Sequence, residues 1–183
     1  MKEKFIQIYK DNIKRDGSDK LLKWLVESDF FTAPASTRFH GNYSGGLVEH
    51  SVNVYNRFNP HGINGETRAI CSLLHDVCKV NFYKTEMRNT KQNGVWVQVP
   101  YYTVDDKFPY GHGEKSVYII EKYMKLSPSE AMAINWHMGG FDDRVKGGSF
   151  ALSTAFEKYP IALQLHIADM EATYFDETKK EDN

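Results

Sequence analysis

Leu73-Leu74-His75-Asp76-Val77-Cys78-Lys79 is the stretch on which the fold turns. A histidine and an aspartate close an apolar run, and a lysine follows three residues after the aspartate. Imidazole and carboxylate are the ligand types that suit Mn, Fe, Zn and neighbouring divalent metals. Adjacent residues on a helix point about 100° apart. Both can reach one ion only near a helix end, with other helices closing the coordination sphere. The rest of the chain has to supply that sphere.

Upstream, residues 65–79 form a predicted helix with Ala69, Ile70, Leu73, Leu74 and Val77 on its apolar side. A turn at Asn59-Pro60-His61-Gly62 separates it from a helix over 45–58, with Ser44 as its expected N-cap and Leu47, His50, Val54 and Phe58 inward. Residues 30–46 contain Pro34, Gly41, Gly45 and Gly46 and read as a loop. Two N-terminal helices precede it, over 2–15 and from Ser18 or Asp19 onward.

Downstream the texture changes. Val95, Val97 and Val99 alternate with Trp96 and Gln98, and Asn93-Gly94 is a hairpin-turn signal. A β-hairpin is expected over about 81–104, with Pro100 loosening the end of its second strand. Helices then return over 113–125 and from Ser127, where Pro128 and Glu130 complete a capping-box pattern. Residues 141–149 read as an exposed loop, followed by helices over 150–158 and 160–175. The fold class is all-α: a helical bundle with a small inserted hairpin. It forms one domain, with N-terminal helices over 1–30, a core over 40–176 and a frayed tail over 177–183.

Composition narrows the function. The 183 residues are 41% hydrophobic and 14% aromatic, enough for a packed core, and the formal net charge is -1. A domain that grips long nucleic acid through a basic face carries an excess of Lys and Arg. That class is disfavoured; a chain end or a small phosphorylated ligand needs only a local positive site. Cys71 and Cys78 would lie roughly 10 Å apart along one helix, too far for an unstrained disulfide, and free buried thiols suit a reducing compartment. With no apolar leader and no run of membrane-spanning length, a soluble cytoplasmic protein with no membrane partner is expected.

Five predicted helices each place a polar residue on or beside an apolar stripe: His50, His75 with Asp76, His112, His137 and Asp169. Singly, each histidine reads as an ordinary hydrogen-bonded core residue. Asp169 is sharper, because a carboxylate among Leu165, Ala168 and Ala172 is costly to bury without a positive partner. A shared metal site accounts for all six together.

The ordered set resembles the HD superfamily of metal-dependent phosphohydrolases. Gly45-Gly46-Leu47-Val48-Glu49-His50 is similar to its GGLxEH segment, and Leu74-His75-Asp76-Val77-Cys78-Lys79 to its HDxxK signature. Gly111-His112-Gly113-Glu114 and Trp136-His137 resemble the two added histidines of its binuclear branches, and Leu165-His166-Ile167-Ala168-Asp169 its closing LHxAD segment. The resemblance spans about 40–170. It implies a mainly helical bundle in which His50, His75, Asp76 and Asp169 hold a first ion. It further implies that Asp76 bridges to a second ion held by His112 and His137. The hairpin, and the lack of an appended nucleic-acid-binding domain, depart from the family pattern.

The expected cofactors are one or two divalent ions, drawn from Mn, Fe, Ni, Co, Zn or Mg. The expected reaction is hydrolysis of a phosphomonoester or phosphodiester, in a nucleotide or short oligonucleotide, by a metal-activated water. Asp76 and Lys79 are the expected catalytic residues, Lys79 also reaching a substrate phosphate as a point charge. His40, in a glycine-rich loop, and Arg144 are expected substrate contacts, with solvated loop residues as the rival reading. His166 either orients a ligand or fills space. Arg88, Lys91, Trp96, Tyr101 and Tyr102 can form a lid over a base, or an ordinary hairpin with its Val face on the bundle. Two other functions stay open: an HD-type di-iron oxygenase acting on a small molecule, and a non-catalytic ligand-binding module.

Overall fold

The computed structural model describes residues 1–177. Nine α-helices and one two-stranded ribbon follow in chain order among them: α1 (Lys2–Asn12), α2 (Ser18–Glu27), α3 (Gly46–Arg57), α4 (Gly65–Leu74), β1 (Tyr83–Gln92), β2 (Val95–Val104), α5 (His112–Glu121), α6 (Pro128–Trp136), α7 (Asp143–Lys146), α8 (Ala151–Lys158) and α9 (Pro160–Glu171). The chain is mostly helical with one small antiparallel sheet, as the periodicity predicts. No described helix is long and apolar enough to cross a membrane.

Two apolar clusters form the core. One packs Phe5 and Tyr9 of α1, Leu21 and Leu25 of α2 and Ile120 of α5 against Leu47, Val52, Ile70, Leu73 and Ile134. The other packs Ile161, Ala162 and Leu165 of α9 against Val54, Cys71, Ala133 and Trp136. Helices α3, α4 and α6 thus face both clusters, and these three carry or end in His50, His75 and His137.

One buried polar knot ties the helices together. Glu130, fully buried on α6, accepts from both terminal nitrogens of Arg15, at 2.6 and 3.0 Å, and from the Thr67 hydroxyl of α4 at 2.8 Å. It also accepts the Ser127 backbone N–H at 2.7 Å, while Ser127 Oγ takes the Glu130 N–H, so the predicted capping box is present.

Several expected boundaries move. Helix α4 stops at Leu74 rather than running to 79, and a 3-10 turn over Val77–Lys79 follows. The apolar run to Val77 imitates continued helix. The His75 ring instead takes the Ser72 carbonyl that the Asp76 N–H would have used. Ser44 does not cap α3, and neither Ser18 nor Asp19 caps α2; the caps are Gly45 and Gly17, both left-handed and without a side-chain bond. Pro100 pairs opposite Met87 inside β2, and the strand continues to Val104. A two-stranded ribbon has a free edge on each strand, so a residue without an N–H is tolerated there. The Val face is not packed on the bundle: Val95 is exposed and Val97 and Val99 only half-buried. The expected loop 141–149 contains the one-turn helix α7. Helix α9 ends at Glu171 and widens into a π-turn over Ala172–Asp176. That turn delivers the side chain of Glu177, expected to fray, to a buried position; residues 178–183 of the expected tail lie outside the described residues.

Candidate metal centre

His75 and His137 are built alike. Each caps the C-terminus of its helix, α4 or α6, and donates from Nδ1 to the carbonyl three residues back, Ser72 O at 2.8 Å and Ile134 O at 2.6 Å. A carbonyl only accepts, so Nδ1 carries the proton and Nε2 of the neutral ring keeps its lone pair. Burial pushes the His75 pKa down to about 3, which keeps that ring neutral. His137 Nε2 is buried and has no hydrogen-bond partner among the described residues. His166 Nδ1 donates to the His137 carbonyl at 2.7 Å, so this histidine secures the helix end.

Asp76 follows His75 directly and lies between two groups of imidazoles. Its Oδ2 faces His75 Nε2 at 3.5 Å and His50 Nε2 at 3.6 Å, and its Oδ1 faces His112 Nε2 at 2.8 Å and His137 Nε2 at 3.5 Å. Lys79 Nζ donates to Oδ2 at 2.6 Å across the 3-10 turn. Burial alone would raise the Asp76 pKa; the Lys79 ammonium and the hydrogen bond from His112 outweigh it and hold the carboxyl well below its ordinary range.

His50 closes the first group. Its Nε2 lies 3.1 Å from Asp169 Oδ1 and 3.2 Å from His75 Nε2. Burial pushes its pKa down, but the carboxylates of Asp169 and Glu177 prevail and take it up to about 10. The same His50 contact holds Asp169 ionised against the effect of burial. His75, His137 and Asp169 also bring ligand atoms within 4.8 Å of one another.

Two glycines of the motifs explain how the helices approach. A Cβ on Gly113 would stand 2.2 Å from the Asn135 carbonyl oxygen, so α5 can bring His112 beside α6 only with glycine there. A Cβ on Gly46 would stand 1.9 Å from the Gly41 carbonyl oxygen, where α3 starts against its preceding loop.

The donor set fits metal. An ion bound by two imidazoles at about 2.0 Å each sets those nitrogens roughly 3.3 Å apart; His50 and His75 present theirs at 3.2 Å. The unpartnered, buried His137 Nε2 is a second mark of fit. All six residues singled out from the sequence thus converge, and buried His and Asp groups here could hold a metal ion.

The other expected contacts divide. Lys79 reaches the centre through Asp76. The His40 ring lies 4.9 Å from that of His50, tilted by 39°, with its Nε2 buried and unpartnered among the described residues; burial, with His50 and Lys79 nearby, pushes its pKa down to about 4. Arg144 has all five N–H donors engaged, by Asp142, Asn135 and Glu114, and lies 3.9 Å over the Trp136 ring. It braces α5 against α6 rather than pointing free guanidinium at a ligand. A cleft of about 680 Å³ opens between the ribbon and the loop that holds His40, lined by Arg38, Tyr43, Arg88, Tyr101 and Tyr102 among others. Lys91 and Trp96 lie away from it near the ribbon tip, where Trp96 is exposed.

Sequence reasoning misses two residues. Glu177 holds His50 Nδ1 at 3.0 and 3.1 Å and accepts from Asn53 Nδ2 at 3.1 Å, yet lies 127 positions from its partner in a polar tail. Cys78 packs its Sγ against His112; its place two residues after Asp76 was the available signal. These features define the class, a mainly helical protein with a buried His/Asp cluster compatible with an HD-type metal site. Comparison of the chain with protein-family models, with curated proteins and with solved structures gives no match.

Proposed function

We propose that this protein is a metal-dependent phosphohydrolase, cleaving a phosphomonoester or phosphodiester bond of a nucleotide or short oligonucleotide. The observation that carries the reading is the division of the Asp76 carboxylate. One oxygen faces His50 and His75, the other His112 and His137. His50, His75, Asp76 and Asp169 would hold one divalent ion, and Asp76, His112 and His137 a second. Two such ions supply a strong nucleophile at neutral pH and stabilise the leaving oxygen of an in-line displacement at phosphorus.

The chain's own residues do the rest. Lys79 keeps one N–H on Asp76 and offers its others to a phosphate oxygen. Ser72 O and Ile134 O hold two imidazoles with their lone pairs turned inward. The cleft between the ribbon and the His40 loop would supply Arg38 and Arg88 for further phosphate and Tyr101 or Tyr102 for a base face. Its volume suits a nucleotide-sized ligand, and the net charge of -1 accords with a small substrate or a chain end rather than a long polymer.

A screen of phosphomonoesters, phosphodiesters and nucleotides, supplemented in turn with Mn, Fe, Ni, Co, Zn and Mg, tests the reading. Turnover that depends on added metal and vanishes in Asp76→Ala is the expected result. Iron with a mixed-valent EPR signal, with oxygen consumption and no phosphate release, would replace hydrolysis by di-iron oxygenase chemistry. Ligand binding without any turnover would make the chain a binding module.

A further inference from the structure

The hydrolase reading leaves Cys78 without a task. The residue is 3% exposed, and its Sγ lies 3.5 Å from Nδ1 and 3.6 Å from Nε2 of His112. Asp76, Cys78 and His112 bring ligand atoms within 4.8 Å of one another. The thiol is fixed there by the helix that supplies the imidazole. The Cys78 backbone N–H donates to Ser116 Oγ at 3.2 Å, and Ser116 stands one turn beyond His112 on α5. Beside them, His137 Nε2, buried and without a hydrogen-bond partner among the described residues, faces at 3.5 Å the same Asp76 oxygen that His112 holds.

An ion with bonds of about 2.3 Å to sulfur and 2.0 Å to nitrogen sets those donors about 3.5 Å apart in a tetrahedron; Sγ is at that distance from the His112 ring but nearly equidistant from its two nitrogens, over the ring face, so the imidazole has to turn for one ion to take both donors. Cys71 is the internal contrast. It is as deeply buried, yet it sits in the apolar cluster with Val54 and Phe58, where burial pushes its thiol pKa well up.

We propose that Cys78 is a thiolate ligand of the second ion, joining Asp76, His112 and His137, and that this position therefore takes Zn²⁺ in preference to Mg²⁺ or Mn²⁺. Thiolate is a soft donor that favours Zn over the hard, oxygen-seeking ions. On binding, the S–H bond breaks, an S–metal bond forms and the proton leaves to solvent. The proposal rests on the metal centre of the reading above and is independent of the reaction catalysed there.

Cobalt loading of the intact chain tests it, read by thiolate-to-cobalt charge-transfer absorption in the near ultraviolet. The band should appear in the parent, vanish in Cys78→Ser and persist in Cys71→Ser. Zinc affinity at the second position should fall at least about tenfold in Cys78→Ser, the loss that even an outer-shell partner produces. Two cobalt ions bound to the parent without the band would overturn the proposal and leave the hydrolase reading standing. No cobalt or zinc bound at all would overturn the thiolate proposal and leave the hydrolase reading to the screen with Mn, Fe, Ni and Mg. The band without turnover on any phosphoester would uphold the thiolate and remove the hydrolase. With two cysteines in the chain, a band that persists in Cys71→Ser assigns the thiolate to Cys78 even where Cys78→Ser does not fold.

Discussion

At the scale of single residues, Glu177 is the most consequential side chain outside the ligand set. A carboxylate on Nδ1 fixes which nitrogen of His50 faces the centre and makes that nitrogen a better donor. Glu177→Ala should lower metal affinity about 10–100-fold, measured by competition with a chromophoric chelator; unchanged affinity would remove this role. Asn53 steadies Glu177, and Arg57 grips the neighbouring Asp176 at 2.6 and 2.9 Å, so residues 50, 53 and 57 of α3 together hold the last described turn. None of this was readable from the sequence. A glutamate in a polar tail looks like any solvated glutamate until the π-turn aims it. His50, His75 with Asp76, His137 and Asp169 were readable as polar residues on or beside apolar stripes, whereas His112, at the start of its helix, was picked out by the family resemblance. Arg144 shows the opposite failure. Its charge suggested phosphate, whereas Asp142, Asn135 and Glu114 meet there only after folding.

At the scale of elements, α5 and α6 are joined by a contact without slack. Gly113→Ala would drive a methyl into the Asn135 carbonyl, so α5 must shift and carry His112 away from Asp76. On the two-ion reading proposed above, metal content should fall from two ions per chain toward one, with the His50, His75 and Asp169 position retained; elemental analysis of the purified variant reads this. The capping box of α6 makes a separate test. Ser127→Ala should cost about 1 kcal/mol in urea unfolding. The ribbon behaves differently, since none of its residues is buried. Excising Met87–Pro100 and closing the gap with a two-residue turn should leave the urea midpoint unchanged while lowering turnover on nucleotides. Helix existence and the hairpin were visible as periods in the sequence. The end of α4 was not, because Val77 continues the apolar pattern past the point where His75 takes over a backbone carbonyl.

At the scale of the whole molecule, the buried Glu130 knot couples α6 and α4 to Arg15, which lies between α1 and α2, and gives stability an acid limit. Burial alone would raise the Glu130 pKa. Arg15, the Ser127 N–H and the Thr67 hydroxyl outweigh it and hold the carboxyl below its ordinary 4.5. The folded state therefore binds this proton less readily than the unfolded chain does. Its stabilising contribution is complete above about pH 4.5 and is lost as pH falls through the lower folded value. Thermal melts across the acid range should show a limb that is shallower in Glu130→Gln; an identical limb would place the acid sensitivity elsewhere. Removing Arg15 instead, as Arg15→Ala, leaves a buried carboxylate without its cation and should cost about 3 kcal/mol.

The two helix-end histidines carry one more consequence. Each ring is fastened to the backbone of its own helix, so its rotamer freedom disappears when the chain folds and not when an ion arrives. Ion capture at these positions involves no search over ring orientations. On the metal reading proposed above, chelation should accordingly strip the ion without loosening either ring.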